Sequence, residues 1–161
     1  MNKLYILQNC LLRKEINMMV SISNDSEPVI LRDDVFRCTK YDVEAPIPEV
    51  KAKYEKMLEV LGATDIPSLK FETFRARFEE NSYIRPTKLA DIDEDFKFIF
   101  LTKENESKDI KGGRFMIFSD DGYRGSPLFE KGGTICFKAD TQYEISRLLT
   151  GAAEYIITYV K

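Results

Sequence analysis

An α+β fold, an antiparallel sheet of hairpin-connected strands packed by two or three helices, is what this 161-residue chain predicts. Three observations carry that expectation. Six of the eight glycines fall between Gly112 and Gly133, where positive φ for tight turns marks a hairpin-rich second half. Apolar residues recur at helical spacing around positions 48 to 61 and again around 141 to 153. Phe96 to Leu101, Arg114 to Phe118 and Thr134 to Lys138 carry the β-branched and aromatic residues of strands.

In chain order, Leu4 to Leu7, Met18 to Ile22 and Val29 to Leu31 read as short strands, the last two separated by turn chemistry at Asn24 to Pro28. After Pro46 and Pro48, the spacing of Val50, Tyr54, Met57, Leu58 and Leu61 predicts a helix, and Gly62 ends it. Ser68 can cap a second helix bearing Phe71, Phe74 and Phe78 on one face, with Pro86 closing any continuation. Phe96 to Leu101 alternates as a strand buried on one face. Arg114 to Phe118 and Thr134 to Lys138 are expected as its antiparallel neighbours in a meander, separated by Asp120-Asp121-Gly122 and Gly132-Gly133 turns. Thr141 and Glu144 form a capping-box pattern ahead of Ile145, Leu148, Leu149, Ala152 and Ile156, which predicts the last helix. Tyr155 to Val160 then has strand composition, so that helix is expected to hand over to a terminal strand.

A chain of this length fits one domain over residues 1 to 161, hiding roughly 70% of the unfolded surface. A net charge of only -3 argues against a nucleic-acid binder, which concentrates basic charge on one face. Cys10, Cys38 and Cys136 are odd in number and in no C-x-x-C spacing, so buried thiols in a reducing cytoplasm are expected. No run of 18 apolar residues occurs, so no membrane span is expected.

The chain contains no histidine. That removes Ser-His-Asp, Cys-His and His-ligated zinc chemistry together. Asp91 to Asp95 fails as a calcium loop, because Phe96 and Thr102 stand where the turn glycine and the bidentate glutamate belong. The glycines around Tyr123 to Ser126 match no phosphate-loop spacing. No catalytic residue, cofactor or metal is therefore expected. Among the aromatics, Tyr123, Arg124, Tyr155 and Tyr159 have the side-chain types of interface anchors, with ordinary packing as the alternative for each.

In size and in its Lys, Ile, Asp, Glu and Asn-rich vocabulary, the whole chain resembles the small early proteins of T-even bacteriophages, and among them the phage-encoded inhibitors of the host's ATP-dependent Lon protease. The resemblance implies a non-enzymatic, cytoplasmic, homodimeric protein that binds Lon and suppresses ATP hydrolysis and degradation. It also implies that Tyr155 to Val160 is the kind of apolar segment Lon favours. Two alternatives stay open: a phage-type binder of another host machine, such as a nuclease or transcription factor, or a small histidine-free enzyme.

Overall fold

A computed structural model describes residues 4–7, 10–44, 47–118, 124–127 and 131–161 of the chain. Among the described residues, eleven strands form one curled antiparallel sheet: β1 (Leu4–Leu7), β2 (Val29–Arg32), β3 (Phe36–Val43), β4 (Phe71–Phe78), β5 (Tyr83–Thr87), β6 (Phe98–Glu106), β7 (Phe115–Phe118), β8 (Arg124–Gly125), β9 (Thr134–Lys138), β10 (Gln142–Ile145) and β11 (Ala153–Val160). Helices α1 (Arg13–Asn24) and α2 (Pro48–Val60) cover one face, and α3 (Leu89–Ile92) is a single turn. None of the helices among the described residues is long and apolar enough to cross a membrane.

The strand order is β1-β9-β6-β11-β4-β3-β5-β10-β7-β8, with β2 against β3. The bend lies in β3. Its Thr39–Val43 stretch pairs with β4, whereas Phe36 and Arg37 pair with β5, so one strand carries the chain from the larger half of the sheet to the smaller. The two halves then meet face to face: the rings of Phe115 on β7 and Phe137 on β9 are 5.8 Å apart, although these strands lie far apart in the hydrogen-bonded order. The result is a jelly-roll-like half-barrel.

Strand parity divides the apolar residues between two cores. Ile99 and Leu101, Ile135 and Phe137, Tyr155 and Ile157, and Phe74, Ala76 and Phe78 point into the barrel, where Ile84, Phe115, Tyr143 and Ile145 meet them. Phe98, Phe100, Cys136, Ile156 and Val160 point outward and are sealed by α1 and α2. The 48–61 periodicity is α2. Tyr54 stacks on Phe100 at 4.1 Å, and Met57 and Leu58 are buried beside it, each such side chain stabilising the fold by roughly 1.5–3 kcal/mol. At the start of α1 the Leu12 N–H donates to Glu15 Oε1 at 2.7 Å, and Lys53 Nζ on α2 donates to the same oxygen at 2.6 Å. Burial pushes the Glu15 carboxyl up, but these two bonds and the charges of Lys53 and Lys14 outweigh it and hold it below its usual value.

These features correct the expected α+β layout of a meander packed by helices. Ser68 to Phe78 is not a helix: Phe74, Ala76 and Phe78 face the barrel, and Phe71, Thr73 and Arg75 face the other way, which is strand alternation. The helix expected over 141 to 153 is β10 and a loop, with Tyr143 and Ile145 buried and Gln142 and Glu144 less so. Met18 to Ile22 lies inside α1, where Ile16, Met19 and Ser23 are buried on one face. The strand expected over Phe96 to Leu101 begins at Phe98 and runs on to Glu106; Phe98 to Leu101 are buried on both faces, not one, and Lys97 ahead of them is exposed. β9 is a neighbour of β6 as expected, but β7 pairs with β10 and β8 instead, so the connection is not a meander.

Candidate functional site

The barrel interior is closed by aromatic rings. Phe137 lies 5.3 Å from Tyr143 and 5.8 Å from Phe115, and Phe78 meets Tyr155 edge-on at 5.7 Å. Burial raises the pKa of both Tyr143 and Tyr159. Tyr159 also packs on Phe74 and Phe96, each at 5.1 Å.

At one end this packing stops and an open cleft of about 690 Å³ begins. β6 supplies Lys103, which continues the inward parity of Ile99 and Leu101 and lies opposite Tyr155 on β11. Lys103 Nζ is 3.0 Å from Glu106. The Tyr155 hydroxyl donates to the Gly113 carbonyl at 3.3 Å, which ties β11 to the loop before β7. That loop contributes Lys111 and Arg114 to the wall, and Ser126 donates to the Phe115 carbonyl at 2.9 Å from the opposite side. Gly112 has φ +76°, and a Cβ there would stand 2.2 Å from the Arg147 carbonyl, so only glycine lets the two backbones pass this closely. With Glu106 and Glu144, the lining holds three cations against two carboxylates.

Of the four interface anchors expected from the sequence, Tyr155 is 1% exposed and Tyr159 is mostly covered in the barrel core. Both therefore occupy the packing alternative. Arg124 lies in β8, while Tyr123 falls outside the described residues. Sequence pattern carries no signal for Lys103, because its inward direction depends on the register of β6 with β11. The three cysteines are buried free thiols.

No protein-family model matches the chain, and no curated protein matches it. Solved structures do. An oxidoreductase of the 2OG-Fe(II) oxygenase family from Burkholderia pseudomallei superposes with a TM-score of 0.71 at 13% identity, over 98% of this chain and 84% of that one. A prolyl-4-hydroxylase from Pseudomonas putida gives 0.72 at 13% identity, over 99% and 92%. The viral collagen prolyl hydroxylase of Paramecium Bursaria Chlorella virus-1, solved with 2OG, gives 0.66 at 13% identity, over 98% and 94%.

These likenesses overturn the resemblance to the phage Lon inhibitors. With it go the expected function of binding and suppressing Lon and the expectation of a non-enzymatic chain, since the solved neighbours sharing this fold are named as enzymes. Whether the residues present fit the metal of such enzymes is a separate question. Non-haem iron oxygenases hold iron by two histidines and a carboxylate. This chain has no histidine, and its inner wall is lined by Phe and Tyr among aliphatic side chains. Among the described residues no three of Cys, Asp and Glu lie close enough to hold a metal. The iron centre does not fit. By fold, this chain is a jelly-roll half-barrel of the kind these oxygenases share, with an aromatic interior and a cation-lined mouth.

Proposed function

We propose that the chain binds a small anionic molecule, of the 2-oxo dicarboxylate class, in the cleft at the barrel mouth. The observation that carries this reading is Lys103, paired across the sheet with Tyr155 and lining with it the cleft where aromatic packing gives way to open space. A carboxylate entering there exchanges the Glu106 partner of Lys103 for its own oxygens, and charge-assisted bonds of this type are about twice as strong as neutral ones. A second carboxylate, four or five atoms away, has Lys111 and the Arg114 guanidinium along the same wall. Phe115 and Met116 supply apolar surface for the carbons between. The ligand class is supported by the viral prolyl hydroxylase, solved in complex with 2OG on the same fold. The reading concerns capture and orientation by this chain's own residues, and no step runs through iron.

Calorimetric titration with 2-oxoglutarate tests it. Saturable binding is expected, weakened by about 1.5–3 kcal/mol in Lys103→Met through loss of the charged hydrogen bond, with melting temperature little changed. No saturable heat at millimolar 2-oxoglutarate, or equal affinity in Lys103→Met, would overturn it.

A further inference from the structure

Glu104 stands at an irregularity in the sheet. β6 and β11 pair Asn105 with Glu154 and Lys103 with Tyr155, so Glu104 is the extra residue of a β-bulge. A bulge re-aims the side chain that it carries. Here it turns Glu104 to the side covered by α1, where Arg13 and Lys131 act on it and where Glu154 also stands. Glu104 is 7% exposed, and its Oε2 has no hydrogen-bond partner. Glu154, which the register pairs with Asn105 next in the chain, is the carboxyl beside it. Ionised carboxylates only accept hydrogen bonds, so these two can bond only when one of them carries a proton.

The neighbours decide which carboxyl keeps that proton. Glu154 Oε2 accepts from Arg75 Nη1 at 3.0 Å, and its Oε1 lies 3.9 Å from Arg77 Nε, so both of its oxygens face guanidinium groups, whereas Glu104 Oε2 has no hydrogen-bond partner. Burial first, then the hydrogen bond and charge of Glu154, push Glu104 up to about 7, against the opposing pull of Lys131 and Arg13. Arg75 is itself the clamp on α1: its Nε donates to Ser23 Oγ at 2.9 Å and its Nη2 to Asn24 Oδ1 at 3.0 Å, while its plane lies over Tyr41 at 4.2 Å.

We infer that Glu104 and Glu154 form a one-proton carboxyl pair that couples pH to the seating of the last turn of α1 on the sheet. With the proton in place, Glu154 gives its charge to Arg75, and the guanidinium holds Ser23 and Asn24. When the proton leaves, two buried carboxylates face each other across the bulge, Arg75 is drawn between them, and its grip on α1 loosens. Glu104 is raised from 4.5 in the unfolded chain to about 7 in the fold, so its stabilisation is complete below pH 4.5 and is lost as pH rises towards 7.

Urea unfolding between pH 5 and 8, compared for the native chain and Glu104→Gln, tests the pair. Gln donates to Glu154 without titrating. Relative to the variant, the native folding constant should fall by up to about tenfold per pH unit inside the window and level off above it. Hydrogen exchange corrected for intrinsic rates should show amides of residues 13–24 losing more protection than those of β9 as pH rises through about 7. If Glu104→Gln does not fold, the carboxyl carbon signal of Glu104 in the native protein decides alone. Parallel stability profiles, or a Glu104 carboxyl that titrates in the ordinary glutamate range, would overturn the inference.

Discussion

Phe137→Ala probes the closure of the barrel directly. Phe137 is fully buried, and its ring lies 5.3 Å from Tyr143 and 5.8 Å from Phe115, so it joins the larger half of the sheet to the smaller through ring packing. Truncation removes the transfer free energy of the ring and leaves a cavity that β-sheet walls on both sides cannot collapse. The expected cost is about 3–5 kcal/mol. For a chain of this size that lowers the melting temperature by roughly 6 to 20 °C, read by calorimetry or circular dichroism. Phe137→Leu, which keeps most of the volume, should lose far less. Lys138→Ala, one residue on and exposed, should stay within about 0.5 kcal/mol and serves as the control. A loss under about 1 kcal/mol in Phe137→Ala would refute the packed interior. It would also return that interior to consideration as ligand space.

Arg75→Met should cost about 3–5 kcal/mol, because it strands the Glu104 and Glu154 pair without its cation, and Arg75→Lys should not restore the loss because one ammonium cannot reach Ser23, Asn24 and Glu154 together. Denaturant midpoints would show both effects. Gly112→Ala and Gly62→Ala share a positive φ, yet a Cβ at Gly62 meets nothing within 4 Å whereas one at Gly112 strikes the Arg147 carbonyl. Gly62→Ala should therefore cost about 1 kcal/mol and Gly112→Ala clearly more, so equal melting shifts would contradict the close approach. Cys38, pushed up to about 12 chiefly by burial, should resist iodoacetamide at pH 8 until the fold is opened with denaturant, as mass spectrometry of the alkylated chain would report.

Local pattern and nonlocal pairing divide the credit for this structure. Helix α2 was legible because Val50, Tyr54, Met57, Leu58 and Leu61 repeat at 3.6 residues and α2 buries that stripe whole. β9 and the terminal strand were legible from β-branched and aromatic runs, and the missing histidine, a matter of composition alone, excludes the iron ligation of the structural neighbours before any coordinate is known. β4 was misread since Phe71, Phe74 and Phe78 fit a helical stripe, while the residue that reveals alternation is Ala76, too small to register as apolar signal yet fully buried. β10 was misread since Thr141 and Glu144 spell a capping box, whereas the barrel uses Tyr143 and Ile145 as inward residues of a strand. The placement of Tyr155 inside the barrel, the turn of Lys103 into its mouth and the meeting of Glu104 with Glu154 follow from the β6–β11 register and its single bulge. A sequence determines which residues alternate. Only the pairing of strands distant in the chain determines which of the two faces is buried, because a one-residue shift in register exchanges them.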